Sequence, residues 1–162
     1  MKLDGKVAIV TGGGTGIGKG GAMALAAEGA KVIVAGRRPE PLEETVAEIK
    51  AQGGIAIACP TDVTDRAQIE KQRDMAKNEW GRLDILVNNA GIYPHQKFFE
   101  CTEEEWDDMQ ASNLKGAFFC SQAAAKQMVV QCNGGSIVNI ISINGYRPLA
   151  DSTAYSASKA GL

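Results

Sequence analysis

Tyr155 and Lys159 stand four residues apart near the end of the sequence, and Ser142 lies thirteen positions before the tyrosine. On a helix, residues at i and i+4 share a face, so this phenol and this ammonium would meet. A neighbouring ammonium stabilises phenolate. That suits Tyr155 to act as general acid toward a ketone oxygen and as general base toward an alcohol. A serine hydroxyl placed beside the pair, as Ser142 would be, hydrogen-bonds the same oxygen and steadies its developing charge. No side chain delivers a hydride, so the group needs a nicotinamide to complete the reaction. Each residue alone has a plainer reading: a packed tyrosine, a solvated lysine, a serine in a strand-end turn. Only the three together argue for chemistry.

A second cluster supplies a place for that nicotinamide. Thr11-Gly12-Gly13-Gly14-Thr15-Gly16-Ile17-Gly18 follows an apolar run and opens a helical stretch. Glycines let backbone turn sharply and approach a phosphate, and a helix N-terminus offers free N–H groups and a positive dipole end. Gly12, Gly14, Thr15, Gly16, Ile17 and Gly18 are therefore expected to contact a dinucleotide. Gly13 to Lys19 also fits the phosphate loop of nucleotide triphosphatases, but Gly20 stands where Ser or Thr should hold magnesium. The next apolar run ends Ala35-Gly36-Arg37-Arg38. An acid there would bind the adenosine ribose of NAD. Two arginines, with Gly36 leaving room, suit a 2′-phosphate, so NADP is favoured over NAD.

These residues need a scaffold that gathers them at one edge. Short apolar runs alternate with helical stretches. Strands are expected over Lys6–Thr11, Lys31–Ala35, Ile55–Cys59, Asp84–Asn88 and Ser136–Ile141. Helices are expected from Gly16 to about Glu28 and over roughly Leu42–Ala51, the second with Pro39 and Pro41 at its start. A third runs to Trp80 behind a Thr64 or Asp65 cap, and a long helical region runs from Thr102 to about Val130. A sixth begins near Ser152. Strands separated by helices imply a parallel sheet covered on both faces, a three-layer, doubly wound α/β (Rossmann) fold. Residues 1–162 read as one domain, without repeat or linker. The last helix has no stop signal before Leu162, as in a chain lacking the final strands of its sheet.

Four motifs in this order and spacing, T-G-x-x-x-G-x-G, Asn88-Asn89-Ala90-Gly91, Ser142 and the Y-x-x-x-K of Tyr155–Lys159, resemble those of the short-chain dehydrogenase/reductase family. The resemblance runs from Lys6 to the end. It implies NAD(P)-dependent interconversion of a small-molecule carbonyl and a secondary alcohol. It also implies that Lys159 binds the nicotinamide ribose and that Asn113 holds a water completing a proton relay with Ser142, Tyr155 and Lys159. Asn89, Ala90 and Gly91 would then line the adenosine side and support the central strand, and Asp62 and Val63 would touch adenine. The family pattern further implies a homodimer or homotetramer. Ile141 stands where relatives often carry a second serine. The alternative reading is a nucleotide-binding or scaffold fragment of such an enzyme, without activity of its own.

Composition narrows the remaining classes. With 17 basic and 19 acidic residues, the net charge of −2 gives no footprint for nucleic acid. No apolar run is long enough to span a membrane, and the first residues lack a signal-peptide core, which points to the cytoplasm. The cysteines Cys59, Cys101, Cys120 and Cys132 form no C-x-x-C pair, and His95 is the one histidine, so no metal site is expected and the thiols read as reduced packing groups. His95 reads as a residue of the surface or the cleft rim. Tyr93, Tyr146 and Leu149 suggest an apolar lining to the cleft, and Trp80, Trp106, Phe118 and Phe119 suggest packing or an interface.

Overall fold

A computed structural model describes residues 1–94 and 97–162. The expectation for His95 lies outside the described residues. The chain runs β1 (Val7–Thr11), α1 (Gly16–Ala27), β2 (Lys31–Gly36), α2 (Pro39–Ala51), β3 (Ile55–Pro60), α3 (Arg66–Trp80) and β4 (Ile85–Asn88). It continues through α4 (Glu103–Gln110), α5 (Gly116–Val130), β5 (Ser136–Asn139) and α6 (Thr153–Gly161). The five strands form one sheet in the order β3-β2-β1-β4-β5, and every pairing is parallel. The first three strands build outward from β1 in one direction, and β4 then returns to its other side. Between β1 and β4 the strand order reverses, so a crevice opens outside their carboxyl ends.

Alternation along β1 sends side chains to both faces. Val7 and Ile9 join Ile33, Ile69, Leu83, Leu86 and Ala124 in one apolar cluster, beneath α3 and α5. Ala8 and Val10 join Ala22, Ala26, Val32, Leu42 and Ile49 in the other, beneath α1 and α2. This is the three-layer doubly wound arrangement, and it explains why β1 and β2 read as unbroken apolar runs. Trp80 and Phe119 pack against the first cluster. Trp106 and Phe118 remain exposed. Cys59 and Cys120 are buried, and burial, only partly offset by a Gln72 hydrogen bond, pushes the Cys120 thiol up to about 11. Cys120 is therefore a protonated packing group.

The element boundaries shift by one residue at the ends of β1 to β4, and depart further from the sequence reading in three places. α2 begins at Pro39, not Leu42, and takes both prolines into its first turn. Helix-start N–H groups have no intrahelical partner, so proline loses nothing there. β5 ends at Asn139 rather than Ile141, although Ile140 N still donates to Asn88 O at 2.9 Å. The long helical region is not one α-helix. Ala111–Lys115 forms a wider π-helical turn between α4 and α5. Asp65 rather than Thr64 caps α3, accepting from the N–H groups of Ala67 and Gln68. Thr102 and Glu105 close the capping box at α4. Among the described residues no helix is long and apolar enough to cross a membrane, and no three His, Cys, Asp or Glu side chains are grouped to hold a metal.

Candidate active site

The carboxyl ends of β1 and β4 are tied together by one side chain. Thr11 Oγ1 donates to Val87 O and accepts from the N–H groups of Asn89 and Ala90, at 3.0 and 3.1 Å. Asn89 in turn donates its amide to the carbonyls of Thr11 and Gly12, at 3.0 and 3.1 Å. These bonds hold the glycine-rich loop against the loop after β4. The loop can lie so close only because Gly18 lacks a side chain. A Cβ there would collide with Gly12 O and the Asn89 amide. α1 then points its N-terminus into the crevice, and Thr15 is its N-cap.

The crevice holds a cavity of about 490 Å³. Gly12, Gly14 and Thr15 form one wall, Arg37, Arg38, Asp62 and Val63 another, and Ala90 and Gly91 the floor toward β4. Of the loop residues expected at the site, Gly16, Ile17 and Gly18 do not line this cavity. Gly18 is buried beneath it and Ile17 is exposed. Asn89 likewise supports the loop from behind. Asp62 accepts from Thr64 N and Oγ1, at 2.9 and 2.8 Å, which pins the turn after β3. Sequence reasoning missed Pro41, Leu42, Thr61 and Ser112, which also line the cavity with Gly36 and Ile92. Thr61 could have been found from its place just past a strand end. Ser112 carried no local signal.

Beyond Gly91 lies the second half of the site. Ser142 ends the segment after β5, and its hydroxyl accepts from Asn144 N at 3.2 Å, opening a short turn, Ile143–Gly145. That turn packs directly on α6. A Cβ on Gly145 would stand 2.8 Å from the Lys159 carbonyl. Tyr155 and Lys159 share a face of α6, with Lys159 Nζ 5.9 Å from the centre of the Tyr155 ring. Lys159 is buried, and Nζ donates to Ile140 O at 2.8 Å. Burial holds its pKa below the ordinary lysine value.

Asn113 lies fully buried in the π-helical turn. Its Oδ1 accepts from Ile92 N at 2.8 Å, and its Nδ2 donates to Ile92 O at 3.0 Å and to Ser158 Oγ at 3.2 Å. One amide thus fastens the loop after β4 to α6, one residue from Lys159. Gly91 leaves a gap beside it. An added Cβ would stand 2.9 Å from Asn113 Oδ1 and 3.8 Å from Lys159 Nζ. The structure therefore places Asn113 and Lys159 beside Gly91, which lines the cavity, with Tyr155 on the same face of α6 as Lys159. It ties Ser142 to them through the 143–145 turn.

The sequence profile of the short chain dehydrogenases matches residues 6–162. The chain belongs to that family. It is 41% identical, over all 162 residues, to the 2-dehydro-3-deoxy-D-gluconate 5-dehydrogenase of Escherichia coli (strain K12), of which it covers 63%. It is 40% identical over 160 residues to an uncharacterized oxidoreductase of Staphylococcus aureus (strain N315), covering 99% of this chain and 68% of that protein. Among solved structures, a short-chain type dehydrogenase/reductase from Mycobacterium marinum superposes with a TM-score of 0.95 at 39% identity, over 99% of this chain and 66% of that one. A 7 alpha-hydroxysteroid dehydrogenase complexed with NADH and 7-oxo glycochenodeoxycholic acid gives 0.93 at 36% identity, over 98% and 62%. The chain thus spans about two thirds of the length of these short-chain dehydrogenases.

Proposed function

We propose that this chain carries the cofactor-binding and catalytic part of an NADP(H)-dependent oxidoreductase that interconverts a carbonyl and a secondary alcohol. The observation that carries this reading is that Asn113 and Lys159 stand beside Gly91, which lines the crevice, with Tyr155 next to Lys159 on α6. The residues present fit the cofactor. The cavity is large, its glycine loop is bare of side chains, and α1 aims its N-terminal N–H groups at the wall where a pyrophosphate would lie. Gly12, Gly14 and Thr15 would hold the phosphates, with Gly16 and Ile17 opening α1 beside them and the bare Gly18 letting the loop lie close. Asp62, Val63, Ala90 and Gly91 would hold the adenosine half, with Asn89 bracing the loop behind them. Arg37 and Arg38 line the cavity beyond Gly36 at the end of β2, where no carboxylate stands to bind the ribose of NAD. This favours NADP, although the related steroid dehydrogenase was solved with NADH.

A bound nicotinamide supplies or accepts the hydride. The chain's own residues then have distinct tasks. Ser142 Oγ donates a hydrogen bond to the substrate oxygen. Tyr155 gives that oxygen its proton in reduction and removes it in oxidation. Lys159, oriented by Ile140 O, places a cation beside the phenol and would bind the nicotinamide ribose. Asn113 fixes the loop and helix around Lys159, the setting in which the family pattern implies a relay water. The exposed Phe118, Val129 and Val130 of α5 suit packing between copies in a homodimer or homotetramer, which light scattering checks.

Tyr155→Phe in the full-length enzyme tests the assignment. Turnover should fall by about 10²–10⁴ while NADPH affinity stays within twofold. Retained turnover would refute the acid/base role. Titrating NADPH and NADH into wild type and Arg37→Asp tests the cofactor choice. Equal wild-type affinities would remove the preference for NADP.

A further inference from the structure

Tyr155 sits in the first turn of α6, where a helix is held least firmly by its own hydrogen bonds. Lys159 donates to Ile140 O, and its ammonium stands 5.9 Å from the centre of the Tyr155 ring. What touches the ring is another aromatic. Tyr93 meets Tyr155 with ring centres 4.4 Å apart and planes tilted by 56°, a close ring–ring contact. Tyr93 is itself anchored. Its neighbour Ile92 is clamped at both N–H and C=O by the buried amide of Asn113. The Tyr93 ring remains 45% exposed, so it is not part of the sheet's core clusters.

We infer that Tyr93 is a positioning residue for Tyr155, an aromatic shelf against which the phenol ring is held in one orientation. The geometry forms a chain of four residues. Asn113 fixes Ile92, Ile92 fixes Tyr93, and the ring of Tyr93 fixes that of Tyr155. The flat ring carries the effect. The inference rests on the acid/base role given to Tyr155 above.

The test compares Tyr93→Phe, Tyr93→Leu and Tyr155→Phe in the full-length enzyme. The probe is the ketone that wild type turns over fastest among cyclic, aryl and straight-chain ketones. Tyr93→Leu should lower kcat about tenfold, with KM and NADPH affinity within twofold of wild type. Tyr93→Phe should restore kcat to within twofold. In protein labelled with 13C-tyrosine, the Tyr155 ring should give one sharp set of resonances in wild type and Tyr93→Phe, and an averaged set in Tyr93→Leu. Wild-type kcat and unchanged Tyr155 resonances in Tyr93→Leu would overturn the inference. So would a loss in Tyr93→Phe as large as in Tyr93→Leu. Turnover surviving in Tyr155→Phe would instead sink the proposed function, so the two failures are distinguishable.

Discussion

The same substitution, made two residues apart in α1, should have opposite effects. Gly18 is buried, and a Cβ on it would run into Gly12 O and the Asn89 amide. Gly20 is exposed, and a Cβ on it would meet nothing within 4 Å. At Gly20 only the helix responds. Replacing an interior glycine by alanine reduces the freedom of the unfolded chain and stabilises by about 0.5–1 kcal/mol. At Gly18 that same gain is outweighed. Forcing a methyl into a filled site costs about 1–3 kcal/mol. The atoms that must yield are backbone and the Asn89 amide. That amide makes two hydrogen bonds to the loop, each contributing about 1 kcal/mol. The net expectation for Gly18→Ala is a loss of about 2–4 kcal/mol, shared between fold and loop geometry. Urea titration of both variants, with NADPH affinity measured alongside, checks this. Gly20→Ala should raise the midpoint and leave affinity alone. Gly18→Ala should lower the midpoint and weaken NADPH by tenfold or more, since 1.4 kcal/mol is one decade. Equal midpoints for the two variants would refute the claim that Gly18 is bare because of Gly12 and Asn89.

Three further outcomes follow from single side chains. Asp84 is buried just before β4, where burial raises its pKa but the Arg82 hydrogen bonds, the Val7 N–H and the Lys6 and Arg82 charges outweigh it and hold it low. A carboxylate held below its unfolded value of about 3.9 contributes stability above that pH and loses it as pH falls through the lower folded value. Asp84→Asn should therefore lower stability at pH 7 by about 1–3 kcal/mol and flatten its acid dependence below pH 4, as urea midpoints between pH 3 and 7 would read. Lys159 titrates below an ordinary lysine because it is buried, so a role as cation should fade on the alkaline side earlier than a solvated lysine would allow; a kcat profile from pH 6 to 11 checks this. Thr102→Ala breaks the capping box at α4 and should cost about 1 kcal/mol by thermal or urea unfolding, with turnover unchanged.

How much of this was legible in the sequence depended on the reach of each signal. The glycine loop, the Asp65 and Thr102 caps and the i, i+4 pair Tyr155–Lys159 are local devices, and their chemistry is visible within a few residues. The sheet order was not readable residue by residue, because β1 and β4 meet across 77 positions, as in the bond from Val7 N to Asp84. The π-helical turn at Ala111–Lys115 left no trace in the apolar pattern. It carries Asn113, whose amide bonds Ile92 and Ser158 from distant parts of the chain.

The same distance hid the contact that Tyr93 makes. As a sequence feature it is a loop aromatic that suggests an apolar lining to the cleft. It gains a role only when Asn113 pins the neighbouring residue and α6 brings Tyr155 beside it. The family motifs name the groups that exchange protons, because proton transfer restricts residue type. The groups that aim them are held to a shape rather than a chemistry. Leucine, phenylalanine or tyrosine can all fill a loop position, but only a flat ring forms a shelf for a phenol. Residues of that second kind are found from contacts between elements, and Gly91, Ser158 and Tyr93 are the places in this fold where such contacts converge on Asn113, Tyr155 and Lys159.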